Sequence, residues 1–256
     1  MTTSSLRGWR ALAATAAIVT TPLANATVVE IQTVLGNIQV NLFDQDTPLT
    51  VANFLDYVNN GAYTNSIIHR SATNFVIQGG GFTYDGALPF DAIPTNDPVL
   101  NEPVFSNVRG TIAMAKLAGE PNSATTQWFI NLVDNPASLD DQSGGFSVFG
   151  VVMGDGMDVV DAIAALDRFN LGGSFTQLPL RDYTDFTMDP DEDNLVSISA
   201  IVVTDTNTNT NPDLRPPLNT TARPPSEDSG GGGGGGSTGL LAMLGLLALS
   251  TRRRLA

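Results

Sequence analysis

Between Thr27 and Phe43 the sequence TVVEIQTVLGNIQVNLF alternates apolar and polar residues on both sides of Leu35-Gly36-Asn37. That period of two predicts a β-hairpin. The next stretch, TPLTVANFLDYVNNG, changes period: Val51, Phe54, Leu55 and Val58 share a helical face, Thr47 takes the N-cap, Pro48 the first helical position and Gly61 the stop. Short apolar runs then recur as SIIHR, NFVIQ, GTIAMAK, TQWFINL, FSVFGVV and LVSISAIVV, with a second helical pattern, GMDVVDAIAAL, before the last. Two hairpin strands, six later strands and two helices, punctuated by Gly, Pro, Asn and Asp, predict a mostly β domain. The expected form is a closed eight-stranded antiparallel β-barrel capped by two α-helices, not a doubly wound α/β sheet.

The pattern fails at both ends of the 256 residues. Arg7 and Arg10 precede the apolar run ALAATAAIV, and Ala24-Asn25-Ala26 follows, the layout of a signal peptide over residues 1–26 that is cut before Thr27. An N-terminal transmembrane helix fits less well, because the run is short and broken by threonines. The expected folded domain covers 27–204. Beyond it, residues 205–236 are rich in Thr, Asn, Pro and Gly, nearly devoid of large apolar residues, and read as a disordered stalk. Residues 237–256 hold a short apolar stretch, Leu240 to Leu249, and then Arg252, Arg253 and Arg254. After a seven-glycine run, Gly230 to Gly236, this tail resembles the bacterial glycine-glycine sorting signals, which a membrane protease processes. A permanent tail anchor is the alternative. The protein is expected to be exported, to the periplasm or cell surface, with a sorting protease or the membrane as partner of the tail.

Charge narrows the partners. The 12 basic and 26 acidic residues give a net charge of −14. Five of those bases and none of the acids lie in the two terminal segments, leaving 7 against 26, or −19, on the remainder. Such a surface repels phosphate backbones, so nucleic acid is excluded as partner. With no cysteine and a single histidine, His69, thiol nucleophiles, disulfides and zinc sites are excluded too. No metal or cofactor is expected. The chemistry must use arginine, carboxylates, hydroxyls, amides or shape.

One stretch concentrates those groups. Ile67 to Phe82, IIHRSATNFVIQGGGF, joins His69 and Arg70 to an apolar run that ends in three glycines. It resembles the central segment of cyclophilin-type peptidyl-prolyl isomerases, where a His-Arg pair leads into a Phe-x-x-Gln-Gly-Gly strand. Three further blocks agree in order and spacing: NEPVFSNVRGTIAMAK, NSATTQWFINLVDN and FSVFGVVMGDGMDVVDAI. The resemblance covers nearly all of 27–204 and is strongest to exported bacterial members.

It implies an enzyme that accelerates rotation about X-Pro bonds, with proline-containing segments of unfolded or exported proteins as substrates and a monomer as the working form. Rotation is slow because amide resonance sets a barrier near ~20 kcal/mol. In the twisted transition state the prolyl nitrogen's lone pair is free to accept a hydrogen bond, and a fixed donor beside it lowers the barrier. Arg70 is the implied donor. Phe75, Val76, Phe129, Leu139 and Phe146 would line the proline pocket; Gln78 and Gln127 would hold Arg70 and the substrate carbonyl; Ala115 and Lys116 would lie along the peptide groove. His69 takes a structural or groove-edge role rather than acid or base work.

The sequence departs from the family at several of these positions. Val76 replaces a common methionine, Lys116 and Leu117 replace Asn and Ala of eukaryotic members, and Phe146 replaces a histidine. Ser138 stands where a tryptophan contacts cyclosporin, so that drug should bind weakly. A non-catalytic proline-peptide-binding or chaperone-like surface module is the alternative function. Two other patterns carry nothing. The G-x-S-x-G match at Gly235–Gly239 lacks the strand and helix a hydrolase needs, and Asp189–Asn194 lacks the glycine and distal glutamate of a calcium loop. Residues 172–193 form an enlarged connection with no assigned role.

Overall fold

In the computed structural model, residues 27–206 and 212–222 are described. The hairpin forms as its alternation requires: β1 (Val28–Thr33) pairs antiparallel with β2 (Gly36–Leu42), Ile31 opposite Ile38. Helix α1 (Pro48–Asn59) follows. Thr47 occupies the N-cap position but does not cap with its side chain. Glu102 does so instead: its carboxylate accepts the amides of Leu49 (3.2 Å) and Thr50 (2.8 Å) and the hydroxyl of Thr50 (2.7 Å). A carboxylate there satisfies orphan N–H groups and suits the positive end of the helix dipole.

Next come β3 (Ser66–Ile67), β4 (Arg70–Ala72), β5 (Val76–Gly79), β6 (Phe82–Thr83), β7 (Asp91–Ala92), β8 (Thr111–Met114) and β9 (Trp128–Asn131). A four-residue helix, α2 (Pro136–Leu139), precedes β10 (Val148–Val152), α3 (Gly156–Ala165), β11 (Asp167–Phe169), β12 (Leu178–Leu180) and β13 (Ser197–Asp205). The strand order is β4-β5-β9-β8-β10-β2-β1-β13-β3-β6-β7, with β11 and β12 as a separate ribbon.

The sheet is therefore mostly β and antiparallel as expected, but it is a curled, open sheet of eleven strands among the described residues, not a closed barrel of eight. The reason lies in SIIHR, which does not form one strand. The amide of Ile68 donates to Val196 beside β13 (3.0 Å), and that of His69 donates to Gln78 in β5 (3.1 Å). Two residues thus carry the chain from one end of the curl to the other, and β3 and β4 do not pair laterally. Helices α1 and α3 match the two expected helices, and α2 is additional.

Side-chain alternation then sorts residues between two interiors. Ile77, Ile112, Met114, Trp128 and Ile130 enter the main core with Phe54, Tyr57 and Phe149. Their neighbours Val76, Ala113, Ala115 and Phe129 face the other side, in a second apolar cluster with Phe43, Phe105, Leu139, Phe146 and Val148. Both faces of β5, β8 and β9 are buried, which is why these segments read as continuous apolar runs. Gly80 closes β5 at φ +74°, and a Cβ on it would lie 2.7 Å from the Thr126 carbonyl and from the Trp128 ring. Only glycine fits both constraints.

The stalk expectation is corrected over residues 212–222. They lie against residues 104–106, where the amides of Ser106 and Asn219 donate to the carbonyls of Pro217 (2.8 Å) and Val104 (2.9 Å). Docking through backbone groups needs no apolar side chains, so composition does not reveal it. Among the described residues no helix is long and apolar enough to cross a membrane. Residues 1–26 and 223–256, which carry the expected signal peptide, glycine run and sorting tail, lie outside the described residues.

Candidate active site

Register places the site in one row. Arg70 in β4 stands opposite Gln78 in β5, Gln78 opposite Phe129 in β9, and Phe129 opposite Ala113 in β8. Side chains directly opposite on one face are neighbours in an antiparallel sheet. The row runs from a cation through an amide to an apolar floor.

Arg70 is half-buried at the sheet edge. Its Nη1 donates to Gln78 Oε1 at 3.3 Å and its Nε to Gln177 Oε1 at 3.2 Å. Gln78 in turn donates through Nε2 to Gln127 Oε1 at 2.8 Å. The Gln78 amide is thereby oriented at both ends, with its oxygen toward the guanidinium. Burial lowers the Arg70 pKa from its ordinary value, and the group still stays charged at neutral pH, as guanidinium does in proteins.

The expected pocket residues assemble. Val76, Phe129, Leu139 and Phe146 are buried in one cluster with Ala113 and Ala115, and the partly buried Phe75 packs against it. Phe129 and Phe146 meet edge to face at 5.6 Å and 75°, an arrangement aromatic quadrupoles favour. Ala115 is tied to β9 by its amide, which donates to the Gln127 carbonyl at 2.9 Å. Ser138 is half-buried on α2, next to Leu139.

Two residues differ from their expected places. Lys116 does not present charge to a groove; it is 3% exposed. Its ammonium sits 4.7 Å from the Phe146 ring centroid and donates to the carbonyls of Ser143 (2.9 Å) and Gly145 (2.5 Å). It clamps the loop that delivers Phe146, and burial pushes its pKa down to about 8. His69 is 2% exposed and stacks edge-on to Phe82 at 5.1 Å. Burial, followed by the charge of Arg70, drives its pKa down to about 3, while Gln127 and the Ile67 backbone act weakly the other way. It is buried and neutral at neutral pH.

Gln177 escaped sequence reasoning. It belongs to the 172–193 connection, and its carbonyl also accepts the amide of Ser71 at 2.8 Å, so one residue holds both the Arg70 side chain and the strand beside it. No periodicity marks a glutamine in a polar loop 107 residues downstream. Around Asp189–Asn194 the carboxylates serve local turns: Asp191 accepts the amide of Asp193 at 3.0 Å. Among the described residues no group of three or more His, Cys, Asp or Glu side chains could hold a metal.

Residues 28–181 match the family described as "Cyclophilin type peptidyl-prolyl cis-trans isomerase/CLD". The chain belongs to that family. Among curated cyclophilin-type relatives, "Peptidyl-prolyl cis-trans isomerase A" of Dickeya dadantii is 44% identical over 151 residues, covering 57% of this chain and 76% of that protein. "Peptidyl-prolyl cis-trans isomerase" of Acinetobacter baylyi is 46% identical over 153 residues, covering 59% and 78%. "Peptidyl-prolyl cis-trans isomerase B" of Escherichia coli is 46% identical over 134 residues, covering 50% and 78%. The family match over residues 28–181 includes the row from Arg70 to Ala113.

Proposed function

We propose that the protein is a peptidyl-prolyl cis-trans isomerase for exported chains, and that Arg70 is its catalytic donor. The observation that carries the proposal is a guanidinium held by two glutamines and in register, through Gln78, with Phe129 of a buried aromatic and aliphatic cluster. A proline ring of the substrate enters the cluster of Val76, Phe129, Leu139 and Phe146, while Gln127 faces the peptide backbone. As the amide twists, the prolyl nitrogen pyramidalises and accepts a hydrogen bond from Arg70 N–H. Two of the five donors of Arg70 are engaged by Gln78 and Gln177, which hold the fork without consuming it. The bond exists only in the twisted state, so it raises turnover rather than affinity. No proton changes hands, which agrees with a neutral His69 and a permanently charged arginine.

In a proline tetrapeptide assay on the folded protein, Arg70→Ala is expected to lower kcat/KM by about two to three decades, the usual loss for one preorganised donor. Arg70→Lys keeps charge but not the fork and should recover only part. A folded wild type that accelerates nothing would leave the proline-binding module as the better account.

Export is part of the same proposal. The Asp44 carboxylate accepts both the Thr27 amide (2.7 Å) and the Thr27 hydroxyl (2.8 Å). Cleavage before Thr27 would place a new ammonium in that same contact, turning a hydrogen bond into an ion pair. The mature N-terminus, read by mass spectrometry of the secreted chain, tests this: an intact Met1 start would reject it.

A further inference from the structure

Residues 212–222 lie outside the stretch 28–181 that matches the family, yet they touch the wall of the proline pocket. They run beside residues 104–106, with Leu218 bridged antiparallel to Phe105. Phe105 is 2% exposed and belongs to the pocket cluster. At one end Arg215 meets Asp46 at 3.0 Å. At the other, Asn219 Nδ2 donates to the Asp140 carbonyl at 2.8 Å. The Asn219 Oδ1 accepts the amide of Thr221 (2.8 Å), its hydroxyl (3.0 Å) and the amide of Ala222 (3.0 Å), which fixes which end of the side chain faces Asp140.

Asp140 follows Leu139, and the amide of Phe146 donates to the Leu139 carbonyl at 3.0 Å. Residues 140–145 thus form a loop with both pocket-wall side chains at its base. Asp140 also accepts the hydroxyl of Ser106 (2.5 Å) and the amide of Asn107 (2.8 Å), so the loop and residues 215–219 hold the same segment from two sides. Gly145 is packed between them: a Cβ there would lie 2.7 Å from the Asp140 carbonyl and 3.2 Å from Asn219 Nδ2. Leu218, by contrast, is 65% exposed. The attachment is made of hydrogen bonds and one ion pair: the backbone bonds hold residues 104–106, the ion pair holds Asp46, and the Asn219 side chain reaches the loop.

We propose that residues 215–219 form a strap that positions the pocket wall, with Asn219 as the positioning residue for Leu139 and Phe146 and hence for proline-peptide affinity. This rests on the isomerase reading of the pocket. Losing the Asn219 donor frees one edge of the loop, so peptide binding weakens while the Arg70 donor is untouched.

The full-length chain is compared with Asn219→Ala and Asn219→Asp; the aspartate keeps the acceptor that holds Thr221, and turns an acceptor-only carboxylate oxygen toward the Asp140 carbonyl in place of the donor. Both variants should raise KM for a proline tetrapeptide by about threefold to tenfold, the range one lost neutral hydrogen bond spans, with kcat changed less than about twofold. Amide hydrogen exchange across 139–146 should quicken several-fold, as expected for a local opening, while the melting temperature stays near wild type. Unchanged KM and unchanged exchange would overturn the strap. Faster exchange with unchanged KM would overturn its positioning role. If the wild type shows no turnover, the isomerase reading fails instead, and exchange together with peptide affinity by calorimetry decides the strap.

Discussion

On the proposed mechanism, Arg70 is useful because it cannot move freely. A solvated guanidinium gains little over water when it meets a prolyl nitrogen, whereas one held in place costs nothing to reorganise at the moment of reaction. Gln78 holds Nη1 and Gln177 holds Nε, from two segments far apart in sequence. Gln177→Leu should therefore lower kcat about threefold to tenfold with KM nearly constant. Combined with Arg70→Lys, which has no Nε fork to hold, the second substitution should add almost nothing. Fully additive losses in that double-mutant cycle would show that Gln177 acts on stability and not through Arg70.

At the scale of elements, legibility followed the kind of force involved. Helices α1 and α3 could be read because a periodic apolar face and Pro or Gly punctuation are local signals. The pocket strands could be read as strands, but their alternation does not say which face is core and which is site, because both are buried. Only the ordered motif blocks resolved that. Three features stayed hidden. Glu102 caps α1 from 52 residues away. SIIHR looks like one strand and is two, because Ile68 and His69 bond to opposite ends of the curl. Residues 212–222 dock through two main-chain hydrogen bonds, the Asn219 side chain and one ion pair, which Pro, Asn and Thr composition does not encode. Lys116 was placed at the right position with the wrong direction, since nothing in a sequence says that an ammonium will turn onto a loop carbonyl.

For the whole molecule, the buried histidine sets a pH dependence with a definite sign. Unfolded, His69 binds a proton near its ordinary value of 6.5; folded, it resists until about 3. The unfolded state therefore binds more protons between those limits, and stability falls as the pH is lowered from 6.5 toward 3. The slope from this one group is at most about 1.4 kcal/mol per pH unit. Lys116 acts in the alkaline range: the folded state releases its proton near 8 and the unfolded state near 10.5, so its contribution grows as pH rises between them. Urea midpoints of wild type and His69→Gln from pH 3 to 7 separate the acid contribution. The variant should show a flatter acid limb, and an identical slope would assign acid sensitivity to the carboxylates.

The handover at Ile68 and His69 also orders events in time. Strand β1 pairs with β13 near the far end of the domain, Ile68 takes its partner from Val196, and Ser71 takes its partner from Gln177. A topology so rich in distant pairings folds slowly, since the entropy of closing long loops is spent before the contacts form. Both ties that flank Arg70 come from the last third of the domain, so no nascent fragment short of that region can assemble the donor. Synthesis can therefore proceed with a chain that is still inert. On the proposed mechanism, the arginine becomes an instrument for other chains' prolines only after its own chain has finished arriving.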